Sequence, residues 1–241
     1  MLNLSTTTKK RFSMSYNTTG PKITSVFILF ATLFATLLIT SNIVAVKIVN
    51  VWGHIVPAAV FLFPATYIIG DILTEVYGLR FARRVIWLGF LCNVVALIGF
   101  WIGGILPAAS FWQGQDSYDS ILGSTPRIVM ASFAGYLVGE LLNSMVLARL
   151  KVWTGGRMLW MRTVSSTVVG QGLDTILFIC IAFIGTMSNS NLIDLVITQW
   201  IFKVVYETLA TPLTYIVVSK VKAHEAIDVY EDEFSVNPFS L

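Results

Sequence analysis

Along most of its length the chain alternates between long apolar runs and short polar links. Six runs, at 23–46, 57–77, 85–106, 128–147, 163–185 and 195–219, reach the roughly 20 apolar residues that a helix needs to cross a hydrocarbon layer. Membrane-spanning strands would be shorter and would alternate strictly. The pattern therefore predicts an all-α, polytopic membrane protein with six transmembrane helices. The links are short except 107–127, which is rich in Gly, Ser, Asp and Gln and is expected to carry a re-entrant or surface turn. Three regions follow: a basic polar tail over 1–22, a six-helix transmembrane domain over 23–222, and an acidic tail over 223–241.

Composition supports the same class. The 241 residues are 56% hydrophobic and 12% charged, with a mean hydropathy of +0.77, whereas a soluble domain carries about 25% charged residues. No basic patch with interleaved aromatics points to nucleic acid. Cys92 and Cys180 each sit inside an apolar run and read as buried free thiols rather than a disulfide or metal site. His54 and His224 are isolated, so no metal or other cofactor is expected.

The placement of charge matters more than the net +3. Thirteen of the 16 Lys and Arg fall before the first run, after the second, between the fourth and fifth, or after the sixth. Those links share one side if six helices alternate, and the positive-inside rule makes that side cytoplasmic. Both termini are then inside, in the cell's inner (plasma) membrane. The tail before residue 23 also has the composition of an organellar transit segment, and Met14 is a candidate alternative start.

Several polar residues fall where lipid would reject them, at about 2.5–3.5 kcal/mol for each charge near a helix centre. Glu140, Asp174, Lys203 and Glu207 lie near mid-span, Asp71 is deep, and Asn42 and Lys47 mark one end of the first run. Their spacings group them on faces: Tyr67/Asp71/Glu75, Glu140/Asn143, Gln171/Asp174 and Gln199/Lys203/Glu207/Thr211. Polar side chains also join membrane helices by hydrogen bonding, but a set spread over several helices at similar depth favours a central polar cavity. Asp71, Glu140, Asp174 and Glu207 outnumber Lys203, so the interior needs protons, hydrogen bonds, or a donor-rich or cationic ligand. Glu75 is expected to pair with the Arg80–Arg84 cluster, and Lys203 with Glu207 one turn away. Asp71 has no local partner. The third run contributes only Asn93 and reads as lipid-facing or packing. Ala31/Ala35, Gly99/Gly103 and Gly135/Gly139 are small-residue pairs suited to close helix packing, within or between subunits.

The segments "SNIVAVK" (41–47), "FPATYIIGDILTEVYG" (63–78), "ARRVIWLGF" (82–90), "GQGLDT" (170–175) and "KVVYETLATPLTY" (203–215) resemble the queuosine precursor transporters, which are vitamin-uptake-transporter-like membrane proteins. The resemblance covers about 23–220 and implies import of a 7-deazaguanine base, such as 7-cyano-7-deazaguanine, its aminomethyl relative or queuine. The partners implied are that small molecule and the lipid bilayer, with a homodimer open. The chemistry of a guanine-like edge fits a carboxylate that accepts from N1–H and the exocyclic amine while an amide or Lys donates to O6. Asp174 with Gln171 is the first choice for that edge, Glu140 with Asn143 the second. Tyr67, Trp200 and Tyr206 are stacking candidates. The substrate-binding set is Asn42, Tyr67, Asp71, Glu140, Asn143, Gln171, Asp174, Lys203 and Glu207, with Asp71 or Glu207 as carriers of a coupled proton.

Two other readings are possible. One is a substrate-binding membrane subunit served by a separate ATP-driven module, which the Ala31/Ala35 face could dock; the chain itself has no GxxxxGK[ST] motif. The other is an intramembrane protease using Asp71 and Asp174, but neither aspartate stands in the YD or GxGD pattern of such enzymes. No enzymatic activity is expected.

Overall fold

The computed structural model describes residues 23–51, 54–123, 126–185 and 188–229. Its elements are α1 (Ser25–Val44), a hairpin of β1 (Ile48–Val51) and β2 (His54–Pro57), a 3-10 turn (Ala58–Phe61), α2 (Phe63–Tyr77), α3 (Leu79–Ile105), α4 (Gln115–Leu122), α5 (Pro126–Trp153), α6 (Leu159–Phe183) and α7 (Asn189–Glu225). Among the described residues, six helical segments are long and apolar enough to cross a membrane, in accord with the six apolar runs. The fold is an all-α polytopic membrane protein with one small hairpin.

The hairpin is the element that the apolar pattern missed. Val51 pairs with His54 in an antiparallel register that continues to Ile48 and Pro57, and the Ala58 amide donates to the Lys47 carbonyl at 2.8 Å. β-Branched residues on both sides of a Trp-Gly pair supply the propensity. The hairpin ties the end of α1 to the start of α2. The long link forms α4, a surface helix with no buried residue. The Tyr118 hydroxyl donates to the Phe100 carbonyl of α3 at 2.9 Å, in space that Gly103 leaves open.

α2 is the axis of the bundle. It packs against α1, α3, α5 and α7, and 67% of its span is buried against 22% for α3. α3 thus faces outward as expected, with Leu91, Val95 and Trp101 exposed and Asn93 buried. α7 is divided in the same sense. Ile197, Ile201, Val205, Leu209 and Leu213 are exposed, while Gln199, Lys203, Glu207, Thr211 and Thr214 are buried. In water that pattern would be inverted; in hydrocarbon the apolar face needs no cover.

α5 and α6 meet along glycines. A Cβ at Gly139 would lie 2.6 Å from the Asp174 Cβ, and one at Gly170 would lie 2.6 Å from the Asn143 Cβ. The Gly135/Gly139 pair therefore acts within this chain. Ala31 is also buried in the protein's own apolar core, with Phe34 and Leu38, so half of the presumed docking face is already used. Cys92 and Cys180 are free, and Cys180 is exposed rather than buried.

The end of the bundle opposite the hairpin is held by charge. Glu75 is buried and pairs with Arg162 of α6 through both carboxylate oxygens, and with Lys222 of α7 at 2.7 Å. Lys151 of α5 donates to the Glu75 carbonyl at 2.6 Å and to Asp228 at 2.7 Å. These contacts correct the expected pairing of Glu75 with Arg80 or Arg84. Gly78 ends α2 and redirects the chain, so those arginines ride on α3, where Arg84 lies over the Phe81 ring. The acidic tail is also less free than its composition suggests, because Asp228 bridges Lys151 and Lys222 and the Val229 amide approaches the Val76 carbonyl at 3.4 Å. Burial pushes the Asp228 carboxyl up, but hydrogen bonds and charge from the two lysines hold it below its ordinary value.

Two predictions follow from this frame. Glu75→Gln leaves Arg162 and Lys222 without a buried counter-charge, at a cost of about 3–5 kcal/mol; a markedly lower thermal midpoint of the purified protein is expected. Gly78 has φ 89° and ψ 166°, a conformation nearly confined to glycine, so Gly78→Ala is expected to cost about 1–3 kcal/mol and lower the same midpoint.

Candidate functional site

The polar residues predicted to face inward do so, and they form layers along α2, α5, α6 and α7. At the hairpin end the Asn42 amide donates to Asn93 at 2.7 Å, and the Ser132 hydroxyl donates to Asn42 at 2.7 Å. Next come Phe63, Asp174, Gln199 and Lys203. Below them lie Tyr67, Tyr136, Glu140, Gln171 and Glu207, then Asp71 with Asn143. The Glu75 lock closes the stack.

Two adjoining cavities occupy the hairpin end. The larger holds about 550 Å³ and is lined by Asn42, Asn93, Phe100, Ser132, Phe133 and Phe178 among others. The smaller is a recess of about 60 Å³ that shares Asn42, Ala45, Pro57, Ser132 and Phe178 with it and reaches Phe63, Asp174, Gln199 and Lys203. The larger volume falls in the range of small-molecule pockets. The recess admits the edge of a planar molecule and little more.

Asp174 and Lys203 form the ion pair of this recess. The Lys203 ammonium is 2.5 Å from the Asp174 carboxylate and donates to the Thr175 hydroxyl at 3.2 Å. It also lies 5.3 Å from the centre of the Phe63 ring. The expected Lys203–Glu207 pair is not formed. Side chains on a helix lean toward its N-terminus, so Lys203 leans away from Glu207 and toward Asp174. Both Glu207 oxygens are buried without a protein partner among the described residues.

The deeper layer is under-satisfied. Both oxygens of Glu140, both polar atoms of Gln171 and the hydroxyls of Tyr67 and Tyr136 are likewise buried without a partner among the described residues. Asp71, Asp174 and Glu207 all lie within electrostatic range of Glu140. Asp71, without a local partner, finds one across the bundle: Asn143 donates to it at 2.7 Å, and Arg162 is in range. Such a group of atoms is costly in a dry interior unless protons, water or ligand groups satisfy it.

Of the nine predicted site residues, Asn42, Asp174 and Lys203 line the cavities. Tyr67, Asp71, Glu140, Asn143, Gln171 and Glu207 lie beneath, in neither lining. Tyr67 packs edge-on to Tyr136, with ring centres 6.3 Å apart. Trp200 donates to the Val168 carbonyl at 3.0 Å and packs on α6, and Tyr206 lines neither cavity. Phe63 and Phe178 are the rings at the recess. Neither they nor Ser132 carry a sequence signal beyond being apolar or small. Gln199 was visible, as the turn before Lys203 in a buried stripe.

Gly70 makes room for the deep layer. A Cβ there would overlap the Glu140 carboxylate. Gly70→Ala is expected to cost about 1–3 kcal/mol, and Glu140→Ala in the same protein should relieve it. A double-mutant cycle on thermal midpoints checks this, and additive effects would refute the contact.

Comparison with known proteins agrees with this architecture. The family model described as "Putative vitamin uptake transporter" matches residues 57–217. The "Probable queuosine precursor transporter" of Bacillus subtilis (strain 168) is 28% identical over 76% of this chain and 79% of its own length. The "Queuosine precursor transporter" of Escherichia coli (strain K12) is 31% identical over 63% of this chain and 66% of its own. The Haemophilus influenzae relative, named "Probable queuosine precursor transporter", is 32% identical over 56% of this chain and 52% of its own. No solved structure matches. The matched region takes in α2 to α6 and most of α7, with Glu75, Lys151 and Arg162 of the lock, the ion pair and the deep carboxylates, and the chain belongs to the vitamin uptake transporter family of membrane transporters, which includes the queuosine precursor transporters.

Proposed function

We propose that the protein imports queuosine precursors, 7-deazaguanine bases such as 7-cyano-7-deazaguanine, across the cell's inner membrane with both termini cytoplasmic. The names of its relatives support the substrate class. The observation that carries the site is that Asp174, a buried carboxylate, lines a recess sized for the edge of a planar base. Asp174 accepts from N1–H and the exocyclic amine. Gln199 at the recess, or Gln171 one turn below Asp174, donates to O6, and Phe63 or Phe178 contacts the base face. Glu140, Glu207 and Asp71 form the route beneath, and one of them, Asp71 or Glu207, takes up the coupled proton.

The test is complementation in a strain unable to make the deazaguanine ring, fed each candidate base at low concentration, with queuosine in transfer RNA as the readout. The wild-type protein is expected to restore queuosine. Asp174→Asn turns one acceptor into a donor facing the donors of the base, and should cut uptake by about tenfold or more at an unchanged level of protein in the membrane. Equal uptake by wild type and variant would refute the assignment. Uptake that persists when the proton gradient is collapsed would remove the coupling.

A further inference from the structure

This inference rests on the import reading and concerns what happens to the cation when the base arrives. Asp174 and Lys203 both line the recess and are bound to each other at 2.5 Å. The ammonium holds Oδ2 of Asp174, so a ligand that bonds both carboxylate oxygens must displace it from that oxygen. Breaking a buried pair is costly when one member is left alone. Opening is feasible only if both members find new partners together.

A partner for each can be named. Two adjacent N–H groups on a neutral heterocycle give Asp174 two charge-assisted hydrogen bonds. For Lys203 the partner is Glu207, one helical turn deeper on α7, buried, with neither oxygen bonded to a described residue. The Cα–Cβ bond of Glu207 tilts toward Lys203, and the four-carbon stem of lysine has the freedom to turn back.

We propose that Lys203 is a displaceable counter-ion: the donor edge of the base takes Asp174, and the freed ammonium moves along α7 to Glu207. With Glu207 ionised, one carboxylate is cation-paired before the exchange and one after it, so the number of ion pairs is conserved and the coupled proton falls to Asp71. The positive charge has moved toward the basic end, closer to Glu140 and Asp71. Lys203 is then a specificity-determining residue that never touches O6. It favours ligands with two adjacent donors, because a single donor bonds only the oxygen that Lys203 leaves free and does not drive the exchange.

The experiment measures equilibrium binding to the full-length protein in lipid nanodiscs. The probes are 7-cyano-7-deazaguanine and the analogue that lacks its exocyclic amine. Wild type should bind the first at least about tenfold tighter. Glu207→Gln should weaken the first about tenfold and the analogue much less, a difference that general loss of structure would not produce. In a Lys203→Met background, which has no ammonium to relocate, Glu207→Gln should no longer weaken binding of the guanine-type base. An undiminished effect of Glu207→Gln in that background would overturn the exchange, and so would a loss of binding in Lys203→Met as complete as in Asp174→Asn. If wild type binds neither probe, the import reading itself falls. Binding by wild type with additive variants would sink the exchange alone.

Discussion

A charge inside a membrane protein must meet another charge or a set of donors, and this requirement organises the bundle. Glu75 is the clearest case. It is buried at the end of the central helix and gathers Arg162, Lys222 and Lys151 from three other helices. Apolar packing between helices gives little direction in lipid, where tails are as oily as leucine. The bidentate Arg162 contact gives α2 and α6 a fixed register at this end, and Asp228 draws the start of the C-terminal tail into the same cluster.

The two ends of the polar column differ in kind. Around Glu75, opposite charges are paired and little space remains. At the hairpin end, neutral amides, two serine hydroxyls, the Asp119 carboxylate and one ion pair line the cavities. Between them lies a layer of acids and amides with few internal partners. The glycine seam between α5 and α6 keeps the backbone close to the acids, so Asp174 and Glu140 share one environment although they come from different helices.

The family match begins at residue 57, after α1 and the hairpin turn. Yet α1 supplies Asn42, which joins Asn93 and Ser132 across the larger cavity. Glu75 with Lys151 and Arg162, the ion pair and the deep acids thus lie within the matched region, while Lys222, Asp228 and part of the cavity wall lie outside it. Relatives that share the deep layer need not share the mouth.

Much of this was legible along the chain. Six spans, the outward α3, the inward stripe of α7 and the Gly135/Gly139 pair all follow from periodicity and hydropathy, because lipid admits few ways to satisfy a helix backbone and none to hide a charge on the outer face. The identity of partners was not legible. Spacing placed Lys203 beside Glu207 and Glu75 near the arginines after α2, but the lean of helical side chains sent Lys203 to Asp174, and the turn at Gly78 sent Glu75 to α5, α6 and α7. Sequence determined which residues are buried, since burial is set by the period of one helix. Tertiary structure decided which of them meet, since that depends on the relative depth and rotation of helices far apart in the chain.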